Sequence, residues 1–190
     1  MPFRLLGFVA DPSQASNLCG RAFAHYAASG ADVTLVCAAA PDWIAADDKP
    51  GVRRLGVRDL VLLDYASSDL TAAALEDVFA DVIASVRPHV VVAEGAPAAI
   101  GDAASAAFQR VRRAGGGSSS LPAKLYSRWS AGAPLVSVTT SITVSGTASP
   151  ELFVRVFPDP WVTGVLERDL FAGVPAEMDA ASRVDQQLAS

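Results

Sequence analysis

The stretch RLLGFVADPSQASNLCGRAFAHYAASGADVTLVCAA, residues 4–39, decides the fold. It opens with a continuous apolar run over residues 4–10, which is typical of a strand buried on both faces of a parallel sheet. Apolar residues then recur at helical spacing over residues 15–29, and Gly30 is expected to end that helix. A second apolar run over residues 31–39 predicts another strand. Because crossovers between such strands are right-handed, we expect the two strands to be parallel.

The rest of the chain continues this alternation of strands and helices. Apolar runs predict strands over residues 57–65 and 89–95, and amphipathic spacing predicts helices over residues 70–88 and 99–113. Three later segments are also predicted to be extended, namely residues 123–129, 135–144 and 151–161. The alternation predicts an α/β fold, a Rossmann-like three-layer sandwich with a mostly parallel sheet.

The chain is predicted to form a single domain. Its 190 residues suffice for one substantial core, which we assign to residues 1–175. The Gly/Ser-rich residues 114–120 are predicted to form a flexible loop inside that domain, and the polar residues 176–190 a C-terminal tail. Residues 40–54 are polar and punctuated by proline, so we expect a loop there as well.

Composition and charge exclude several classes of partner. A net charge of −5 and a pI near 4.9 argue against nucleic acid or an anionic membrane surface as the main partner. No stretch approaches the ~18 consecutive apolar residues of a membrane span, and the N-terminal apolar run is too short for a signal peptide. We therefore expect a cytoplasmic protein, in which Cys19 and Cys37 are buried small side chains without a disulfide.

Familiar catalytic and cofactor motifs are missing from the sequence. The turn after the first strand has no glycine before Gly20, so it cannot be the G-x-G-x-x-G turn of a dinucleotide site. The sequence also has no G-x-S-x-G elbow of a serine hydrolase. Its two histidines are His25, within a predicted helix, and His89, at the start of a predicted strand. Neither position lies at the carboxyl edge of the sheet, where open α/β sheets bind ligands.

Oxygen-bearing side chains occupy the loops that do lie at this edge. Asp11 and Gln14 follow the first strand, and Asp69 follows the third. Glu94 and Asp102 belong to the end of the fourth strand and the segment after it. These residues are the candidates for a site built from carboxylates and an amide.

Five segments, taken in order, resemble the PIG-L/LmbE-like N-acetylglucosaminyl deacetylases. Members of that family open with an apolar strand, the motif A-H-P-D-D-E and a later C-G-G, and the other segments match its strands and its closing E-x-DLF-x-G. The matching segments here are VADPSQASNLCG (9–20), RRLGVRDLVLLDY (53–65), RPHVVVAEG (87–95), PAKLYSRW (122–129) and ERDLFAGV (167–174). They are spread from residue 9 to residue 174, so the resemblance extends over most of the chain.

The resemblance implies a zinc-dependent hydrolase of N-acetylated glucosamine conjugates, but the family's catalytic residues are replaced. The family's first metal-binding His falls on Asp11, its general-base Asp on Ser13 and its metal-binding Asp on Gln14. A later metal-binding His falls on Asp102. We therefore expect no zinc cofactor, assign no catalytic residue, and predict a catalytically degenerate domain with a binding, regulatory or structural role.

Two alternatives remain open for the acidic residues. In one, Asp11, Gln14 and Asp102 hold a hard cation such as magnesium, and Asp69 or Glu94 acts as the base of a remodelled hydrolase. In the other, Asp11 caps the first helix and Asp102 is a solvated residue near the start of a later helix.

A retained sugar pocket is a third possibility. Trp43 could stack on a small sugar-like ligand while Asp69 and Glu94 bind its hydroxyl groups, although Trp43 could equally fold back onto the core. The resemblance also implies a homo-oligomer, because members of the family often oligomerise.

Overall fold

The computed structural model describes most of the α/β region of the chain. The described residues are 2–18, 20–39, 49–95, 98–115, 122–128, 141–144, 151–157, 170–172 and 174. Several predictions fall outside them, namely those on Cys19, on Trp43, on residues 116–120 and on the tail 176–190. These predictions stay predictions.

The described residues form seven strands and five helices. The strands are β1 (Arg4–Val9), β2 (Asp32–Ala39), β3 (Asp59–Tyr65), β4 (Val90–Glu94), β5 (Lys124–Arg128), β6 (Ser141–Val144) and β7 (Glu151–Phe157). The helices are α1 (Pro12–Leu18), α2 (Gly20–Ala28), α3 (Lys49–Arg54), α4 (Ala72–Val86) and α5 (Ala98–Ala114). The strands make one sheet in the order β3-β2-β1-β4-β5-β7-β6.

The sheet is mostly parallel, as predicted. Strands β1 to β5 pair in parallel, whereas β7 pairs antiparallel with both β5 and β6. Strand β1 lies between β2 and β4, so Leu5 is in register with Val33 on one side and with Val90 on the other. The chain winds outward from β1 in one direction through β2 and β3, and then crosses to β4 on the other side. The reversal places a crevice beyond the carboxyl ends of β1 and β4.

Two apolar clusters cover the two faces of the sheet. One cluster contains Phe23 of α2 and Val52 of α3, and the other contains Phe79 of α4 and Phe108 of α5. All four side chains are buried. Helices therefore cover both faces, which confirms the predicted three-layer sandwich.

Two predictions about helices were wrong. The single helix predicted over residues 15–29 is two helices, α1 and α2, and α1 starts at Pro12 because proline suits the first position of a helix and Asp11 caps it. Residues 49–54, predicted to be loop, form helix α3, since Pro50 is tolerated in a first turn and Val52 packs into the core. A segment of this length carries too few residues for its helical period to be visible.

The helix predicted over residues 70–88 and the helix end predicted at Gly30 are both confirmed. Thr71 caps α4, accepting a hydrogen bond from the Ala74 N–H at 3.2 Å, and that helix ends at Arg87 in the left-handed region with φ of 49°. Gly30 follows α2 with φ of 89°, a conformation that favours glycine. Within the described ranges, no helix has the length and apolar character needed to cross a membrane.

One buried hydrogen bond ties the C-terminal segment to α2. The Leu170 N–H donates to the Tyr26 hydroxyl at 2.8 Å, and both residues are buried. Replacing Tyr26 by Phe leaves that N–H without its acceptor and is expected to lower the free energy of unfolding by about 2 kcal/mol. Urea denaturation measures the change. Tyr65→Phe is the matched control, because the Tyr65 hydroxyl donates to the Ala74 carbonyl at an exposed position. Equal losses in the two variants would contradict the assignment.

Candidate functional site

The carboxyl ends of β1, β2 and β4 bring three titratable side chains close together. Asp11 follows β1, Cys37 lies near the end of β2, and Glu94 is the last residue of β4. Register explains their proximity, because Val9 pairs with Cys37 and Phe8 pairs with Ala93. The carboxyl ends of parallel strands thus bring together residues from three separate parts of the chain.

Glu94 is the best-defined of the three. Its side chain is only 3% exposed, and its Oε2 atom accepts a hydrogen bond of 2.7 Å from the backbone N–H of Ala10. Burial raises the pKa of Glu94 to about 7, and the nearby Asp11 carboxylate adds to the rise, while the hydrogen bond from Ala10 opposes it. Glu94 can therefore take up or release a proton near neutral pH.

Cys37 is a buried free thiol beside the two carboxylates. Burial raises its pKa to about 12, and the negative charges of Asp11 and Glu94 contribute to the rise. The thiol stays protonated at neutral pH, so it is not an activated nucleophile. This outcome confirms the prediction of a buried small side chain at Cys37.

Asp11 serves as the N-cap of α1. Its Oδ1 atom accepts hydrogen bonds from the backbone N–H of Ser13 at 2.8 Å and from the Ser13 hydroxyl at 2.5 Å. Its carbonyl oxygen accepts the Gln14 N–H at 3.2 Å. These contacts confirm the capping role that was one of the two alternatives for Asp11.

The remaining candidates lie apart from these contacts. Asp69 is exposed in a short 3₁₀ turn, Ser67–Asp69, where its Oδ1 atom accepts a hydrogen bond from the Ser68 hydroxyl at 2.9 Å. Asp102 is exposed on α5, and Gln14 is half-buried on α1. The sequence had indicated Glu94 as a contact, but the link to Cys37 was missed, although the register of β1 with β2 implies it.

The described residues at the ends of β1 and β4 do not fit a zinc ion. Zinc prefers nitrogen and sulfur ligands, yet Asp11, Gln14 and Glu94 offer mainly oxygen atoms, and one oxygen of Asp11 is taken by Ser13. Across the part of the chain that the structure describes, no group of three or more His, Cys, Asp or Glu side chains is arranged to hold a metal. His89 lies at the amino end of β4, where its Nδ1 atom accepts the Arg4 N–H at 3.1 Å. His25 is exposed on α2.

Comparisons with known proteins place the fold. No protein-family model matches the chain, and no curated protein does. The conserved protein TT1542 from Thermus thermophilus is similar in structure, with 19% identity and a TM-score of 0.55. The match covers 65% of this chain and 64% of TT1542, so the chain spans slightly less than two thirds of that protein.

Two deacetylases are also among the structural neighbours. A deacetylase from the teicoplanin biosynthesis pathway matches with 16% identity and a TM-score of 0.47, over 75% of each chain. N,N'-diacetylchitobiose deacetylase from Pyrococcus horikoshii matches with 14% identity and a TM-score of 0.43, over 56% of this chain and 48% of its own. The likeness to TT1542 shows that the chain has this three-layer α/β fold, and the fold that the sequence resemblance implied is confirmed.

Proposed function

We propose that this chain is an LmbE/PIG-L deacetylase-like domain that has lost zinc chemistry and acts by binding a small ligand. One observation carries the proposal. Asp11, at the position of the family's first metal-binding His, uses its carboxylate to cap α1 through two hydrogen bonds to Ser13. One of the two oxygens of the side chain that would have to hold a metal is thus used to cap the helix.

The neighbouring positions support the same conclusion. Ser13 stands where the family has its general base, and its hydroxyl donates to Asp11, whereas a general base at neutral pH must be a group such as a carboxylate or an imidazole. Gln14 supplies a neutral amide in place of a metal-binding carboxylate. A carboxylate and an amide form a hard oxygen donor set, which is poorly matched to zinc.

The position of Glu94 in the sheet supports a binding role. Open α/β sheets bind ligands at the carboxyl ends of strands where the strand order reverses, and Glu94 lies at that point. Carboxyl groups hydrogen-bond the hydroxyl and amino groups of sugars. We therefore propose that the crevice takes a small sugar-like ligand, with Glu94 as its main polar contact.

Calorimetry with glucosamine and N-acetylglucosamine, combined with an assay for released acetate, tests this function. We expect binding without acetate release. Glu94→Gln should weaken binding about tenfold, the effect of losing one charge-assisted hydrogen bond. Asp81→Asn is the matched control, because Asp81 is exposed on α4, away from the crevice. Catalytic release of acetate, or equal binding by Glu94→Gln and the parent chain, would refute the proposal.

A second candidate function is a hydrolase of N-acetylglucosamine-type conjugates with a remodelled site. It is favoured by Glu94, whose pKa of about 7 suits a group that accepts or donates a proton in a reaction. Asp11, Gln14 and Asp102 would then hold a hard cation. Its signature is turnover that requires magnesium or calcium and follows a titration near pH 7, which Glu94→Gln abolishes.

A further inference from the structure

Strand β3 is an open edge of the sheet. Within the described residues it pairs with β2 alone. Its run Leu60–Leu63 is apolar, yet every residue of β3 is half-buried or exposed, whereas seven of the eight residues of β2 are buried. Leu62 is 37% exposed. An apolar edge strand of this kind is a template for pairing with another strand.

The backbone of β3 is oriented for such pairing. The Arg58 N–H donates to the Val33 carbonyl on β2 at 2.9 Å. Val33 therefore points its backbone groups at β3, so in the register that pairs Thr34 with Asp59 it is Asp59 and Val61 that bond to β2. Because backbone groups alternate in direction along a strand, Leu60 and Leu62 point their N–H and C=O groups away from β2. The pairing of β3 with β2 is regular as far as Leu62, and the register shift comes after that residue.

We propose that the occupant of this edge is β3 of a second copy of the chain, paired antiparallel about a two-fold axis at Val61. In that register, Leu60 faces Leu62 of the second copy, and Arg58 faces Asp64 of the second copy. Antiparallel partners that face each other place their side chains on the same face of the joined sheet. The N–H and C=O groups of Leu60 in each copy then bond to those of Leu62 in the other.

Charge complementarity selects both the occupant and the register. Arg58 is 68% exposed at its side chain, and its contact with Asp32 uses only Nη1, so the other guanidinium donors can reach a second carboxylate. Asp64 is exposed. A two-fold axis at Leu62 instead would set Leu60 against Asp64 and would lose the ion pairs. The axis at Val61 forms two ion pairs and two leucine contacts by symmetry.

Sedimentation of the full chain across a range of concentrations tests this interface. We expect a reversible dimer, because a single strand pair buries little surface and gives a concentration-dependent complex. Leu62→Pro removes an outward N–H without breaking a bond to β2, and the variant is expected to stay folded and monomeric. Leu62→Lys should also be monomeric. Its matched control is Val156→Lys, since Val156 is 43% exposed but lies on β7.

A charge-reversal pair tests the register. Asp64→Arg places two like charges against each other and is expected to raise the dimer dissociation constant at least about tenfold. Adding Arg58→Asp to that variant restores opposite charges across the axis and is expected to recover the dimer. A parent chain that is monomeric at every concentration, a dimer that Leu62→Pro leaves intact, or a double variant no tighter than Asp64→Arg would each overturn the proposal.

Discussion

Raising the pH from 5 to 8 is expected to lower the free energy of unfolding by about 2 to 3 kcal/mol through Glu94 alone. The pKa of this carboxyl is about 7 in the folded chain and has its ordinary value of 4.5 when unfolded. Between these values the folded state holds a proton that the unfolded state has released, so stability falls as the pH rises. The stabilisation is complete below pH 4.5 and is lost once the pH passes 7.

Urea denaturation of the parent chain and of Glu94→Gln at both pH values measures this effect. The amide of Gln can still accept the Ala10 N–H but does not titrate. The free energy of unfolding of Glu94→Gln should therefore rise relative to that of the parent chain by about 2 to 3 kcal/mol between pH 5 and pH 8. Asp81→Asn, at an exposed position, should show no such gain. A difference between Glu94→Gln and the parent chain that is the same at both pH values would contradict the burial of an ionisable Glu94.

Replacing Gly7 by Ala is expected to destabilise the protein by about 3 kcal/mol. Gly7 lies in the central strand β1, and a Cβ atom there would overlap the ring of Phe23 on α2. Phe23 is fully buried in a packed cluster, so its ring has little room to move. Thermal or urea unfolding of Gly7→Ala gives the magnitude.

A double variant separates this overlap from any other effect of the substitution. Phe23→Leu removes the ring atoms that the new methyl group would meet, at the cost of a cavity. Gly7→Ala should cost less in the Phe23→Leu background than in the parent chain, giving a coupling energy of about 1 to 2 kcal/mol. Strictly additive losses would show that close packing of Phe23 against β1 is not the reason for glycine at this position.

Much of the fold follows from local patterns in the sequence. The apolar runs that became β1 and β2 are continuous, and the right-handed crossover rule is sufficient to make them parallel neighbours. The helix predicted over residues 70–88 is α4. Its start at Thr71, a capping residue, and its stop before Pro88 are both local signals in the sequence. Helix α3 was missed, since Val52 is held by the core rather than by a pattern of its own.

The candidate site was predicted less completely, because its contacts are long-range. The capping of α1 by Asp11 is a local contact with Ser13, and it was one of the two alternatives that the sequence offered for Asp11. The other contacts of the site are not local. The hydrogen bond from Ala10 to Glu94 joins residues that are 84 positions apart. It exists because β4 lies beside β1, and no local signal in the sequence gives that pairing. The raised pKa of Glu94 depends on that same packing.

The zinc content of the purified protein tests the central claim most directly. Elemental mass spectrometry after equilibration with zinc is expected to find no stoichiometric metal in the parent chain. A variant carrying Asp11→His, Gln14→Asp and Asp102→His restores the family's ligand types and is expected to retain more zinc, because imidazole and carboxylate suit that ion. One zinc ion bound per parent chain, accompanied by hydrolysis of N-acetylglucosamine conjugates, would contradict the account.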